Sequence, residues 1–136
     1  MTPADARARF EEASVAHLAT VGADGAPHIV PVTFALNGDT LYTAVDAKPK
    51  RGSPLRRFRN VAANPRVAVL VDRYDADWTR LWWARADGSA RVVTDGDELE
   101  RALSALRARH PQYARVALTG PAIVMAVDRW SGWSAA

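Results

Sequence analysis

The dipeptide Asn37-Gly38 constrains the fold more than any other feature of this sequence, because it lies between two runs of strand-forming residues. Asn-Gly is a preferred pair for a type I′ turn, the tight turn that joins adjacent antiparallel strands. Residues 28–36 before it and 40–45 after it are rich in aliphatic, β-branched and aromatic side chains. We therefore predict a β-hairpin around Asn37-Gly38-Asp39, and with it an antiparallel sheet.

The remaining segments predict more strands and a few short helices. The helix-start signals are Thr2-Pro3, Ser53-Pro54, and Asp95 or Asp97. The helices expected after them cover residues 3–13, about 54–62 and about 97–109. Further strands are predicted over 15–21, 66–71, 80–86, 90–94 and 121–130, with a second hairpin around Asp87-Gly88. Six or seven short antiparallel strands favour a mainly β (α+β) fold whose sheet curls into a small barrel with about three helices.

Length and composition narrow the class of protein. A chain of 136 residues fits one domain, residues 1–136, and 49% hydrophobic with 24% charged residues is typical of a folded soluble protein. No apolar run approaches the roughly 20 residues that cross a bilayer, and the N-terminus lacks a signal-peptide core. Cysteine is absent, which excludes disulfides, thiolate metal sites and a cysteine nucleophile. We expect a cytoplasmic protein without membrane contact.

One stretch of the chain is strongly cationic. Residues 48–59 contain no acid and carry six cations: Lys48, Lys50, Arg51, Arg56, Arg57 and Arg59. The stretch runs from a loop into the first turns of a predicted helix, where free backbone N–H groups and a partial positive charge attract anions. Guanidinium groups also bind phosphate oxygens in pairs. An anion site is therefore predicted here, with Ser53 and Asn60 as neutral donors; a solvated basic face is the alternative.

Pro31 and the tryptophans bear on a ligand site as well. Proline cannot donate to a strand ladder, so Pro31 predicts an edge strand or a bulge, either bent around a flat ligand or at an ordinary barrel corner. The five tryptophans fall in two segments: Trp78, Trp82 and Trp83, and then Trp130 and Trp133. Adjacent strand residues point to opposite faces, so Trp82 and Trp83 are expected to divide between the core and a partner or ligand.

The common catalytic motifs are missing. The sequence contains no Gly-x-Gly-x-x-Gly, no Walker loop and no Gly-x-Ser-x-Gly. His17, His28 and His110 are not at metal-ligand spacing, so no metal site is predicted. An enzyme with this sequence would rely on a bound cofactor for its chemistry.

The order of these segments resembles a known family. Residues 15–21 and 25–32 resemble the opening hairpin of the pyridoxamine-phosphate-oxidase-like split β-barrels, and residues 59–67 resemble their helix-to-strand junction. Residues 46–51, 72–74, 77–78 and 81–88 resemble an actinobacterial subgroup classed as deazaflavin-dependent oxidoreductases. The resemblance covers nearly the whole chain, but the C-terminal Arg-x-His substrate motif of true pyridoxamine-phosphate oxidases is missing from residues 128–133. Vitamin-phosphate oxidation is therefore not expected.

The resemblance also implies a site. It implies an FMN-binding split barrel, a homodimer with two sites at the subunit interface, and coenzyme F420 (a deazaflavin) or FMN as cofactor. Arg57 and Asn60 match phosphate-contacting positions, with Lys50 and Arg56 as neighbours. The strand positions matched beside the ring are Val32, Thr33, Tyr42, Thr43 and Ala44, and Trp78 or Trp83 would close the site from the other subunit.

Three functional hypotheses follow. The leading one is an F420-dependent oxidoreductase that transfers hydride between the reduced cofactor and an unsaturated organic substrate, with His28, Tyr42 or Tyr74 as candidate proton donors. The second is an FMN- or heme-type binding split-barrel protein with another redox or carrier role. The third is a small nucleic-acid-binding protein; against it, one compact basic patch suits one or two phosphates better than a long backbone.

Overall fold

The computed structural model describes residues 1–46 and 55–135. Its helices are α1 (Pro3–Glu12), α2 (Arg56–Ala63) and α3 (Gly96–Arg109), with short 3₁₀ turns at Trp78–Arg80 and Pro111–Ala114. Its strands are β1 (Val15–Val21), β2 (Pro27–Thr33), β3 (Ala35–Asn37), β4 (Thr40–Asp46), β5 (Arg66–Arg73), β6 (Trp82–Val93) and β7 (Leu118–Ser134). None of the helices in the described ranges is long and apolar enough to span a membrane.

The seven strands form one antiparallel sheet in the order β2-β1-β5-β6-β7-β4-β3. The sheet curls into a half-barrel, and the three helices pack against it, so the predicted mainly β split barrel is confirmed. β2 and β3 are the two sheet edges, although they follow each other in the chain. Pro31 lies in edge strand β2, in continuous register with β1 and without a bulge, so the edge alternative is confirmed.

The hairpin around Asn37-Gly38-Asp39 is present, with a different turn from the predicted one. Asn37 pairs with Thr40, so the loop consists of Gly38 and Asp39. Only Gly38 has a positive φ, 61°, which matches a type II′ turn because type I′ needs positive φ at both loop residues. The preceding run is also divided: Phe34 interrupts it, and the chain changes partner from β1 to β4. Phe34 is fully buried, with its ring edge-on to Phe10 at 5.8 Å.

The second predicted hairpin, around Asp87-Gly88, is wrong. Residues 82–93 form one continuous strand, β6, which pairs with β5 on one side and β7 on the other. Gly88 lies at a register shift against β7, and a Cβ built on it would stand 2.0 Å from the carbonyl oxygen of Ala126. Gly88 therefore allows the backbones of β6 and β7 to approach closely, and it is not part of a turn.

The core consists of two clusters on opposite faces of the sheet. The cluster inside the half-barrel is built on large side chains that include Phe10, Leu18, Phe34, Ile123 and Met125. The second cluster lies between the outer face of β4–β7 and the apolar face of α3, which includes Leu99, Leu103 and Leu106. This arrangement leaves the outer face of β2, β1 and β5 without a helix over it among the described residues.

The helix starts follow the sequence signals in part. Thr2 and Asp5 form a reciprocal capping box at α1, as the Thr2-Pro3 signal predicts. Asp95 is the N-cap residue of α3, but its side chain makes no capping hydrogen bond, and Asp97 lies inside the helix. The described part of α2 begins at Arg56 after Leu55, and the predicted cap Ser53-Pro54 lies outside the described residues.

Candidate cofactor site

The predicted anion site lies at the N-terminus of α2, which we call the anion-binding end. Arg56 is exposed and Arg57 is half-buried in the first turn of this eight-residue helix, and that turn contains no acidic residue. The N-cap residue is Leu55, whose side chain makes no capping hydrogen bond. Two guanidinium groups at an acid-free helix N-terminus are a donor set that suits a phosphate. Lys50, also predicted for this site, lies outside the described residues, as do Lys48 and Arg51.

Asn60 is buried on the side of α2 that faces the barrel. Its Nδ2 donates a hydrogen bond of 3.0 Å to Oγ1 of Thr20 in β1, and both side chains are buried. A Cβ placed on Gly22 would come within 3.1 Å of Asn60 Oδ1, so the glycine leaves room for the amide. In the single chain Asn60 therefore fixes α2 to β1, and any effect on a phosphate would come partly through the position of the helix.

The strand residues predicted beside the ring divide between the two faces of the sheet. Val32 and Thr43 face the inside of the half-barrel, whereas Tyr42 and Ala44 lie in the cluster beneath α3. These four side chains are only 1–8% exposed. Thr33, at the end of edge strand β2, is the predicted strand residue whose side chain is half-buried and keeps partial access to solvent. Among these five, Thr33 is therefore the one whose side chain can reach a ligand directly.

Three polar contacts fix residues 33 and 34, where β2 ends and β3 begins. The Thr43 hydroxyl donates to the Thr33 carbonyl oxygen at 2.8 Å. The Thr33 hydroxyl lies 2.6 Å from the Tyr113 hydroxyl. Nε2 of buried His110 lies 2.7 Å from the carbonyl oxygen of Phe34, and the His110 ring is edge-on to the Tyr113 ring at 5.9 Å.

His110 and Tyr113 were not predicted as site residues. They follow the end of α3 in the sequence. The residues that they contact, Thr33 and Phe34, lie about 80 residues earlier, and we call these two residues the strand corner. No motif or periodicity in the sequence links such distant segments, so the pairing emerges only from the fold. The His110-Pro111 junction in the sequence predicts the end of α3, but it does not predict which residues the His110 and Tyr113 side chains contact.

Trp83 and the C-terminal end of α2 lie at opposite ends of β6 in the same chain. Ala90 N–H donates to the carbonyl of Pro65, just after α2, at 2.8 Å, which places that helix at the Ala90 end of β6. Trp83 is seven residues away on the same strand, roughly 23 Å at about 3.3 Å per residue.

The aromatic side chains form a groove of about 210 Å³ on the outer face of β5, β6 and β7, which we call the aromatic groove. Its lining consists of Leu70, Asp72, Arg73, Tyr74, Leu81, Trp82, Trp83 and Trp133. Trp82 also packs against the barrel core and stands under the Arg9 guanidinium at 4.6 Å, so the predicted core position of one of the two tryptophans is confirmed. Contact of Trp83 with a partner or ligand stays a prediction. Trp78 is 71% exposed in the neighbouring 3₁₀ turn.

The three candidate proton donors lie in different environments. His28 is half-buried opposite Thr20, and its Nδ1 has no hydrogen-bond partner among the described residues. Tyr74 is exposed. Tyr42 lines a second groove, of about 450 Å³, together with Arg91 and Glu98.

Arg91 and Glu98 form a bidentate ion pair that ties β6 to the first turn of α3. The hydrogen bonds from Arg91 hold the pKa of Glu98 below its ordinary value, and in return they raise the pKa of Arg91. The groove beside Tyr42 is thus bounded by a closed ion pair. The described ranges contain no group of three or more His, Cys, Asp or Glu residues placed to hold a metal ion.

Comparison with known proteins identifies the family. Residues 2–134 match the pyridoxamine 5'-phosphate oxidase family, and the chain belongs to it. Over 55 residues it is 47% identical to a 5a,11a-dehydrotetracycline/5a,11a-dehydrooxytetracycline reductase of Streptomyces rimosus. That match spans 40% of this chain and 37% of the reductase, so it covers little more than a third of the relative. The family match and the seven-stranded sheet together define the chain as a split barrel of the pyridoxamine 5'-phosphate oxidase family.

Solved structures share the fold across almost the whole chain. A conserved hypothetical protein from Mycobacterium tuberculosis superposes with a TM-score of 0.75 at 20% identity, covering 99% of this chain and 86% of that one. A FAD-binding protein from Mesorhizobium loti gives 0.70 at 21% identity, covering 97% and 92%. At these identities the similarity concerns the fold alone.

Proposed function

We propose that the chain is an F420-dependent oxidoreductase that transfers hydride between the reduced deazaflavin and an unsaturated organic substrate. The observation that carries the proposal is the 47% identity to a reductase of dehydrotetracyclines, within a family matched over residues 2–134. The subgroup resemblance of residues 46–51, 72–74, 77–78 and 81–88 selects the deazaflavin. The substrate class follows from hydride chemistry, which needs an electron-poor double bond as acceptor.

The residues present fit a phosphate-bearing, planar cofactor. The N-terminus of α2, with Arg56 and Arg57 and without an acid or side-chain cap, supplies a cationic end. The edge strand β2 supplies the second part, because backbone groups on the open side of an edge strand have no ladder partner. Pro31 removes one donor from that edge and leaves its carbonyl as an acceptor. An anion site and an open strand edge are the two features that such a ligand requires.

When bound, the reduced deazaflavin supplies the hydride. In the proposed site Arg56, Arg57 and Lys50 bind the phosphate, and Asn60 holds α2 in place through Thr20. Thr33 contacts the ring at the strand edge, while the buried side chains of Val32, Tyr42, Thr43 and Ala44 keep the strands beside it rigid. The chain thus binds and orients the cofactor and excludes water from it. His28, Tyr42 and Tyr74 remain the candidate donors of the proton that completes the reduction.

We further propose that the active form is a homodimer. Among the residues that the structure describes, no helix covers the outer face of β2, β1 and β5, where apolar side chains such as Val15 and Ile29 are 52% and 62% exposed. On adjacent strands Trp83 pairs with Trp133, which is 48% exposed, so the apolar face continues into the aromatic groove. An apolar patch of this kind is typical of a subunit interface. A second copy would bring Trp83 or Trp78 to a site that one chain leaves incomplete.

The direct test is turnover of reduced F420 with a panel of cyclic enones and quinones, followed through the reappearance of oxidised cofactor. The proposal predicts substrate-dependent oxidation of the reduced cofactor; its absence, together with absence of F420 binding, would reject it. Light scattering of the purified protein tests the dimer, and Trp133→Arg is expected to shift the mass to that of a monomer. A wild-type monomer at micromolar concentration would reject the dimer.

FMN is the second candidate cofactor, favoured by the fold shared with a FAD-binding protein. The same anion end and strand edge would hold the phosphate and ring of FMN. A preparation that retains flavin absorbance through purification and binds FMN more tightly than F420 would favour this alternative and move the function to flavin chemistry.

A further inference from the structure

The strand corner at Thr33 has a feature that the proposed function does not use. The Thr33 hydroxyl lies 2.6 Å from the Tyr113 hydroxyl, and both side chains are half-buried. The Thr33 carbonyl is held separately by the Thr43 hydroxyl at 2.8 Å. Both polar ends of Thr33 are therefore fixed, one by β4 and one by the 3₁₀ turn after α3.

The Tyr113 ring is itself held in place. It packs edge-on against the ring of His110 at an interplanar angle of 83°. His110 is buried, and its Nε2 lies 2.7 Å from the carbonyl of Phe34, the residue next to Thr33. His110 and Tyr113 thus contact two successive residues, Phe34 and Thr33. The contact with the His110 ring holds the Tyr113 hydroxyl in position beside Thr33.

Either hydroxyl can donate in the Thr33–Tyr113 hydrogen bond, and the chemistry of the two groups favours Tyr113 as the donor. A phenol is a better donor than an aliphatic hydroxyl, because its oxygen carries the resulting partial negative charge more easily. Tyr113 is therefore assigned as the donor and Thr33 Oγ1 as the acceptor. This arrangement leaves the hydrogen of the Thr33 hydroxyl available to another acceptor, and hydrogen-bond chains of this kind strengthen each member.

We propose that Tyr113 is a positioning residue for the cofactor: it orients and polarises the Thr33 hydroxyl, which then donates to an acceptor atom of the bound ring. The inference rests on the proposed function, since it takes Thr33 as the strand-edge contact of a deazaflavin. Thr33 suits that task because its side chain is half-buried and partly accessible, whereas the other four predicted strand side chains are buried.

The test compares cofactor affinity with stability in five variants. Tyr113→Phe removes the hydroxyl and retains the ring against His110. Thr33→Val removes the whole hydroxyl, both acceptor and donor, at similar volume. Thr33→Ser retains a hydroxyl, and a double variant combines Tyr113→Phe with Thr33→Val. Ser104→Ala, which removes an exposed hydroxyl from α3, is the matched control. Each protein is titrated with coenzyme F420 by fluorescence, and its Tm is measured without cofactor.

We expect Tyr113→Phe and Thr33→Val each to weaken F420 binding about 3- to 10-fold, the range for one neutral hydrogen bond. The double variant is expected to bind no more weakly than Thr33→Val alone, because Tyr113 acts only through the Thr33 hydroxyl, which that change already removes. Thr33→Ser and Ser104→Ala are expected to bind like the wild type.

A contact that only stabilises the fold would give a different result. Tyr113→Phe would then lower Tm while the folded protein bound F420 with unchanged affinity, and that outcome overturns the inference. Additive losses in the double variant would overturn it too, because the two hydroxyls would be acting independently. If the wild-type protein binds no F420 at all, the proposed function fails and the inference fails with it, which distinguishes the two.

Discussion

Thr43 donates a hydrogen bond of 2.8 Å from its hydroxyl to the backbone carbonyl of Thr33. Thr43 lies in the interior strand β4, and Thr33 ends the edge strand β2, so the bond crosses the place where the half-barrel comes closest to closing. No ladder pairing is present between β2 and β4 in the described chain. The side-chain bond therefore extends the contact with β4 by two residues beyond Ala35, where the β3–β4 ladder begins.

Removing the Thr43 hydroxyl is expected to destabilise the fold. Thr43→Val keeps the shape of a buried side chain but leaves the Thr33 carbonyl without this partner. The free energy of unfolding in urea should fall by about 1–3 kcal/mol, the cost of an unsatisfied buried polar group. Thr43→Ser retains the hydroxyl and should lose less. Equal stability of Thr43→Val and the wild type would show that the bond does not hold the strands.

Gly88 is expected to tolerate no side chain. Its Cβ would stand 2.0 Å from the carbonyl oxygen of Ala126, a backbone atom in the middle of the sheet that cannot move aside. Gly88→Ala should therefore cost about 3 kcal/mol or more, at or above the upper end of overpacking changes. The matched control is Gly22→Ala, whose Cβ would meet side-chain atoms, the nearest being Asp24 Oδ1 at 2.8 Å. Similar thermal stability of the two variants would contradict the close approach of β6 and β7.

The Arg91–Glu98 pair predicts a pH dependence of stability. Hydrogen bonds from Arg91 lower the pKa of Glu98 from its ordinary value of 4.5. The unfolded chain then binds a proton more readily than the folded chain, so the pair stabilises the fold above about pH 4.5. That stabilisation is lost as the pH falls through the lower pKa of the folded state.

Glu98→Gln should therefore be less stable than the wild type at neutral pH, and the difference should vanish in acid. Urea unfolding across the pH range from neutral to acid measures this difference. Glu100→Gln, on the exposed side of the same helix, is the control and should follow the wild type at every pH. A Glu98→Gln difference that persists unchanged into acid would mean that the charge is not the cause.

Local sequence signals predicted most of the fold. The predictions were wrong where one residue pattern is compatible with two different structures. The prediction of an edge strand was confirmed because Pro31 lacks a donor whatever its surroundings. Asp87-Gly88 has the composition of a turn, but Gly88 is there because the β7 backbone approaches it. Asn37-Gly38 correctly predicted the position of the hairpin. The turn type was wrong because the strand register places Gly38 and Asp39 in the loop, and only Gly38 has a positive φ.

The site was predictable only in its charged part. The cationic segment before and within α2 is contiguous in sequence, so its concentration of arginine was visible directly. Tyr113 and His110 reach Thr33 and Phe34 from the far end of α3, and a contact between segments 80 residues apart has no sequence periodicity to reveal it. The division of Tyr42 and Thr43 between two faces follows from strand alternation, but which face is the barrel interior depends on the curl of the whole sheet.

The central claim is that the N-terminus of α2 binds the phosphate of a deazaflavin, and a fluorescence titration of wild-type protein and Arg57→Ala with F420 tests it most directly. Arg115→Ala, which removes an exposed arginine after α3, controls for the change in net charge. We expect the wild type and Arg115→Ala to bind F420 alike, more tightly than FMN and more weakly as salt rises. Arg57→Ala should bind about 10- to 100-fold more weakly, the range for losing a charged hydrogen bond. F420 affinity that is absent in the wild type, or unchanged in Arg57→Ala, would contradict the account.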